Sequence, residues 1–267
     1  MAEGVPRRAL GCVAALAVVA GLSAPGPLRA QDGPVPVPGG EGRPGGAEAQ
    51  EGALFLLLPT GAKAVGMARA MTAISSDEAA FWNPAGLAEV DRSRILLYRG
   101  DHPPAGEAFA LSAIYARPPV GTLAISYQLL DVGEQQATDQ AGNVVGSVSF
   151  RNHLAVASFA TTVADRVSTG VNFKVIQRRI SCEGQCLGGD VTATTFALDG
   201  GIQARPMTRI PLRIGVMLAH LGPDFQVVNA DQADPLPTRL RISTAYEVAG
   251  HFLPYPDLDF WVTVEME

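Results

Sequence analysis

The stretch RVSTGVNFKVIQR, Arg166 to Arg178, decides the fold class, because its apolar residues recur every second position. Val167, Thr169, Val171, Phe173 and Val175 fall on one face of an extended chain, and Ser168, Gly170, Asn172, Lys174 and Arg178 on the other. Successive side chains of a strand point to opposite faces, so this is a two-faced strand without the 3.6-residue stripe of a helix. The same alternation fills TFALDGGIQAR (195–205), where Asp199, Gln203 and Arg205 oppose Phe196, Leu198 and Ile202. It fills TRLRISTAYEV (238–248), where Arg239, Arg241, Ser243 and Glu247 oppose Leu240, Ile242, Tyr246 and Val248. In DLDFWVTVEME (257–267), Asp257, Asp259, Thr263 and Glu265 oppose Leu258, Phe260, Val262, Val264 and Met266. Residues 144–162 read as one long strand, with Val148, Phe150, Leu154, Val156 and Ala160 on one parity and Ser147, Ser149, Arg151 and His153 on the other.

Outward from these segments the pattern predicts about nine strands, near 92–99, 107–117, 120–131, 144–162, 166–179, 191–205, 211–221, 238–248 and 257–267. The connections at 117–119, 163–165 and 206–210 are short, whereas those at 132–143, 180–190 and 222–237 are long and polar and fall on one side. The turn at 249–256 is a longer exception on the short side. Short turns on one rim and long loops on the other are the asymmetry of outer-membrane barrels. A soluble β-sandwich alternates as well, but the strand length and the charge on the polar faces favour the barrel. The expected fold is all-β: an antiparallel transmembrane β-barrel, partial at about nine strands, preceded by a short N-terminal plug with helical turns.

With 267 residues, 47% hydrophobic and 17% charged, the chain is too apolar for disorder and fits one large domain. A net charge of -6 argues against nucleic acid, which needs a basic stripe to displace counterions from phosphate. The N-terminus has the parts of an export signal: Arg7-Arg8, an apolar run from Ala9 to Ala24, and Ala30 before a polar stretch. The run is shorter than the roughly 20 residues of a spanning helix, so residues 1–30 are expected to be cleaved. Residues 31–52 are a Pro- and Gly-rich linker. Cys182 and Cys186 in SCEGQCLGGD are expected to form a loop disulfide in an oxidising compartment, with two free thiols as the alternative. A metal site there would need ligands that the neighbouring sequence lacks.

The segment 53–91 is different in kind. In SSDEAAFWNPAGLAEV, Ser75 to Val90, Asn83 is a good N-cap with Pro84 at the first helical position, and Ser76 or Asp77 caps a preceding turn. Two short helical pieces broken at Asn83-Pro84 are expected. The run from Gly61 to Val90 resembles the N-terminal segment of the PorV/PorQ family, FadL-like outer-membrane proteins with a Gly-Ala-rich run, an acidic pair and an aromatic-Asn-Pro-Ala-Gly-Leu turn. Gly61, Ala62, Gly66, Met67, Asp77, Trp82, Asn83, Pro84, Ala85, Gly86 and Leu87 carry the resemblance. It implies a barrel of about fourteen strands with a plug shaped by Trp82 to Gly86, in contact with outer-membrane lipid and with secretion-system proteins or exported cargo. It also implies either a part in type IX-like protein secretion or, alternatively, passage of hydrophobic small molecules. Ending at Glu267 without a terminal aromatic residue, the chain is expected to be short of the family's full strand set.

No enzyme motif is present: His102, His153, His220 and His251 are scattered, with no zinc, nucleophile-elbow or phosphate-loop pattern. No catalytic residue, metal or cofactor is expected. Lys174, Arg178, Asp199, Arg205, Arg239, Arg241 and Glu247 are expected to face the lumen. A soluble exported β-protein remains a third reading.

Overall fold

The computed structural model describes residues 51–102, 105–139, 141–184, 189–227, 233–248 and 260–267. The proposed signal, nearly all of the linker, Cys186, His251, Asp257 and Asp259 lie outside them. The fold is all-β: β1 (Arg94–His102), β2 (Gly106–Arg117), β3 (Gly121–Thr138), β4 (Val144–Ala164), β5 (Val167–Gly184), β6 (Val191–Ala204), β7 (Leu212–Leu221), β10 (Arg239–Glu247) and β11 (Trp261–Met266) form one antiparallel sheet in that order. Between β7 and β10 a two-residue pair, β8 (Phe225–Gln226) and β9 (Ala233–Asp234), makes its own small ladder. β1 and β11 pair on one side only, so the sheet does not close among the described residues.

Two of the three long loops expected from polarity are instead continued ladder. β3 runs to Thr138 and pairs with β4 as far as Val144, and β5 pairs with β4 out to Gly184. Polar side chains on both faces are compatible with strand pairing when both faces meet water, so composition alone did not distinguish loop from protruding hairpin.

The faces of this sheet are inverted relative to a soluble one. Ile125, Val171, Phe173, Phe196, Leu198, Ile202, Leu240 and Val264 are exposed, whereas Ser126, Asn172, Lys174, Asp199, Gln203, Arg241 and Ser243 are buried. One row of outward side chains runs through the registers from Ile95 to Ala113, Ile125, Ala157, Phe173, Leu198 and Leu221. Three outward positions further along β1, the row Asp101, Glu107, Asp131, Arg151 and Arg179 is charged throughout, and Arg151 and Asp131 pair at 2.9 Å. On β10 the outward apolar residues Leu240 and Ile242 pair with Leu218 and Val216, nearer the short-turn end than Leu221. The apolar band thus slips by about six residues over six strand steps, which at ~3.3 Å per residue and ~4.8 Å per strand is a tilt of roughly 35°.

The inner face is covered by the N-terminal segment, which contains a 3-10 turn at Leu54–Leu57, a short α-helix at Ala62–Gly66, and 3-10 turns at Asp77–Phe81 and Pro84–Glu89. The two expected helical pieces are present, as 3-10 turns. Ser76 Oγ accepts from Glu78 N at 3.2 Å and Asn83 Oδ1 from Ala85 N at 3.1 Å, so both predicted caps are made. No described helix is long and apolar enough to cross a membrane.

β4 breaks the expected polarity. Its even-numbered residues Leu154, Val156 and Ala160 are buried on the inner face, while Arg151 and His153 point outward. The reason is local: Leu154 and Val156 pack in a cluster with Phe55, and Ala160 in one with Ala79 and Leu87, so the covering segment supplies apolar partners where a water-filled lumen would not. His153 Nδ1 meets the Tyr127 hydroxyl at 2.7 Å on the outer face and is not a lumen histidine.

Candidate functional site

The Asn83-Pro84-Ala85-Gly86 turn is the best-defined site, and glycines create its seat. Gly170 on β5 and Gly201 on β6 are register partners, and Gly215 on β7 pairs with Gln203. A Cβ at Gly170 would lie 2.5 Å from the Pro84 carbonyl carbon, one at Gly201 1.9 Å from Asn83 Oδ1, and one at Gly215 2.1 Å from the Thr72 carbonyl oxygen. Three adjacent strands therefore omit their side chains where the turn lies, which is the close backbone approach that an interior strand glycine marks.

Polar groups then fasten what the glycines admit. Asn83 Nδ2 donates to the Thr72 carbonyl at 2.7 Å and approaches the carbonyls of Ile202 and Val216 at 3.3 and 3.4 Å. Gln203 Nε2 donates to the carbonyls of Thr72 and Ile74 at 2.9 and 3.2 Å, and its Oε1 accepts from Ser75 Oγ at 2.9 Å. Irregular backbone carries unpaired N–H and C=O groups, and in a buried position each must find a partner. The inner faces of β6 and β7 supply these partners. Trp82 is buried with Nε1 donating to the Thr60 carbonyl at 3.0 Å, and the Arg241 guanidinium lies 5.6 Å from its ring centroid. Pro84, Ala85 and Gly86 are buried within the 3-10 turn that packs on the sheet. Glu78, also buried, accepts from Lys63 N and Ala64 N at 2.9 Å and so caps the short α-helix.

Beside this seat lies a buried charge cluster. The Lys174 ammonium and Asp199 Oδ2 are 2.7 Å apart with both side chains essentially inaccessible. Asn172 Nδ2 donates to Asp199 Oδ2 at 2.8 Å and to the Ala80 carbonyl at 3.1 Å, linking the cluster to the N-terminal segment. Asp199 Oδ1 accepts from His220 N at 2.8 Å, and His220 Nδ1 lies 3.3 Å from Lys174 Nζ. His220 has a left-handed backbone, φ 60°, at a register shift between β6 and β7. The bulge turns Ala219 and His220 inward together, which period-two reading cannot foresee.

The other charged residues fall on the same inner parity but in separate places. Arg178 donates to Asn152 Oδ1 at 3.1 Å and lies over the Phe225 ring. Arg239 forks onto Glu51, two bonds of 2.6 Å, and these bonds hold the Glu51 carboxyl below its ordinary value. Arg241 reaches Glu267 at 3.2 Å, and Arg69 of the N-terminal segment reaches the same carboxylate at 3.2 Å. Arg205 approaches Glu89 at 3.6 Å, and Glu247 lines a cleft with it at the short-turn end. Cys182 is disulfide-bonded, and Cys186 lies outside the described residues.

Sequence reading missed the seat itself, Gln203 as its fastener, and Glu265, whose Oε2 accepts from Thr72 N at 2.9 Å. The available signal was a glycine on the polar face of each of three consecutive strands. Comparison with protein-family models and with curated proteins yields no match.

Proposed function

We propose that this chain is an integral outer-membrane protein, a β-barrel-type sheet with an N-terminal plug, acting without enzymatic chemistry as a component of protein secretion of the PorV/PorQ type. The observation that supports this most is the inversion of the sheet. Soluble monomers rarely carry apolar patches beyond a few hundred Å², whereas here apolar side chains face outward from β1 through β11. The tilt of the band falls in the range of membrane barrels, and the charged row from Asp101 to Arg179 stands where a headgroup boundary would lie. An unpaired strand edge is costly in hydrocarbon, so β1 and β11 require partners there, from further strands or another chain.

The test is fractionation followed by gel mobility. The reading expects the chain to stay with membranes in alkaline carbonate and, in detergent micelles, to migrate differently boiled and unboiled. Release by carbonate together with identical mobilities would refute it in favour of a soluble exported protein.

A channel for hydrophobic small molecules is the second reading. It is favoured by an apolar layer on the inner face, where Leu130, Leu154 and Ile176 pack with Phe55 and Phe225. Both phenyl groups fill that layer, so passage would require the plug to move. The two readings separate by uptake of a labelled long-chain hydrocarbon into vesicles holding the protein.

A further inference from the structure

A cleft of about 680 Å³ opens at the short-turn end, within the size range of small-ligand sites. Arg166 of the β4–β5 turn, Arg205 and Arg209 after β6, and Arg213 on β7 bring four guanidiniums to it. Against them stand Asp165 and Glu247 in the cleft and Glu89 of the N-terminal segment, in a chain whose net charge is -6. Glu89 shows what the site accepts. Its Oε2 takes Arg213 Nη1 at 2.5 Å and its Oε1 faces Arg205 Nε at 3.6 Å, one carboxylate divided between two guanidiniums. Arg213 is held for this by Ser75 Oγ at 2.7 Å and by the Trp261 ring, 5.0 Å from its guanidinium carbon. Among the described residues, exposed Arg166 and Arg209 have no ion-pair partner.

We propose that this cleft binds an acidic peptide segment, one carboxylate of which competes with Glu89 for Arg205 and Arg213 while a second is held by Arg166 and Arg209. Guanidiniums favour carboxylates because their fixed N–H fork matches the two oxygens. A single carboxylate is already satisfied internally, so the two free arginines call for a ligand with more than one. Occupancy loosens Glu89, and with it the turn from Pro84 to Glu89. The four arginines line this cleft whether or not the sheet lies in a membrane.

The experiment titrates N-acetylated, amidated tetraglutamate into the full chain in detergent micelles by calorimetry, with tetraglutamine as the neutral peptide and inorganic phosphate as a simple anion. Tetraglutamate is expected to bind and tetraglutamine not. Arg166→Ala combined with Arg209→Ala is expected to weaken binding about tenfold or more, since each charge-assisted bond contributes on that scale. Glu89→Gln, which removes the competitor and keeps the shape, is expected to tighten it severalfold. Equal binding of the two peptides, unchanged affinity in the double variant, or phosphate binding as tightly as tetraglutamate would each overturn the proposal. A double variant that does not fold leaves the decision to Glu89→Gln, where unchanged or weaker binding overturns it.

Discussion

Gly200 and Gly201 are neighbours on β6, and replacing each by alanine isolates the seat of the N-terminal turn. Both changes gain the same backbone preference, since glycine in a strand costs roughly 0.5–1 kcal/mol relative to alanine. At Gly200 the new methyl meets nothing within 4 Å, so Gly200→Ala is expected to be neutral or stabilising by that amount. At Gly201 the methyl would stand 1.9 Å from Asn83 Oδ1 and 2.8 Å from Asn83 Cγ. The amide cannot simply swing away, because Asn83 is fully buried, caps Ala85 N and donates to the Thr72 carbonyl. Overpacking costs about 1–3 kcal/mol and a lost cap about 1 kcal/mol, so Gly201→Ala is expected to be less stable than Gly200→Ala by about 2–4 kcal/mol, some thirtyfold to a thousandfold in the folding equilibrium. Urea unfolding of both variants in the same detergent, followed by the fluorescence of buried Trp82, reads the difference directly. Hydrogen exchange of residues 53–91 should rise in the Gly201 variant alone. Midpoints for the two variants that agree within about 0.5 kcal/mol would refute the close seating of the turn.

Lys174→Met leaves the Asp199 carboxylate buried without its cation and is expected to cost about 3–5 kcal/mol, while Lys174→Met with Asp199→Asn recovers much of it; equal urea midpoints for single and double variants would contradict this. Ile125→Arg, in the middle of the outward apolar row, is expected to lower the stability of protein reconstituted in lipid vesicles by about 2–4 kcal/mol, whereas a sheet facing water would tolerate it. In the β3–β4 turn, hydrogen bonds from the Asn143 side chain and then its backbone, with a further one from Ala141 N, hold the Asp139 carboxyl below its ordinary value. The turn therefore has its full stability above the ordinary carboxylate range and loses it as pH falls through the lowered value; an Asn143 amide whose protection, taken relative to the intrinsic exchange rate at each pH, does not fall in acid would contradict this.

The strands were legible because their alternation survives burial in either direction. Period two locates β5 from Val167 and β6 to Ala204, and the capping chemistry of Ser76 and Asn83 locates both turns. Which face turns inward on β4 was not legible. Leu154 and Val156 share a parity that an outward apolar rule assigns to lipid, and their burial depends on Phe55, almost a hundred positions away in sequence. The hairpin extensions of β3, β4 and β5 escaped for a different reason: pairs such as Gln135 with Val148 are held by backbone bonds that leave no trace in hydropathy. The site was half legible. Asn83-Pro84 announces a turn, but a turn becomes a seated one only through Gly170, Gly201 and Gly215, which meet it after long stretches of intervening chain.

From β1 to β7 every strand pairs with its neighbour in sequence, so the sheet can grow hairpin by hairpin as the chain emerges. The fasteners of Asn83 lie 119 and 133 positions downstream, and the acceptor for Thr72 N lies 193 positions downstream. What is synthesised first is thus satisfied last. Until β6, β7 and β11 arrive, the segment from Thr72 to Gly86 carries backbone donors and acceptors with no permanent partners, and water or a chaperone must hold them. Assembly order is therefore written into this chain: the sheet can form without its covering segment, but that segment has no home until the sheet is nearly finished.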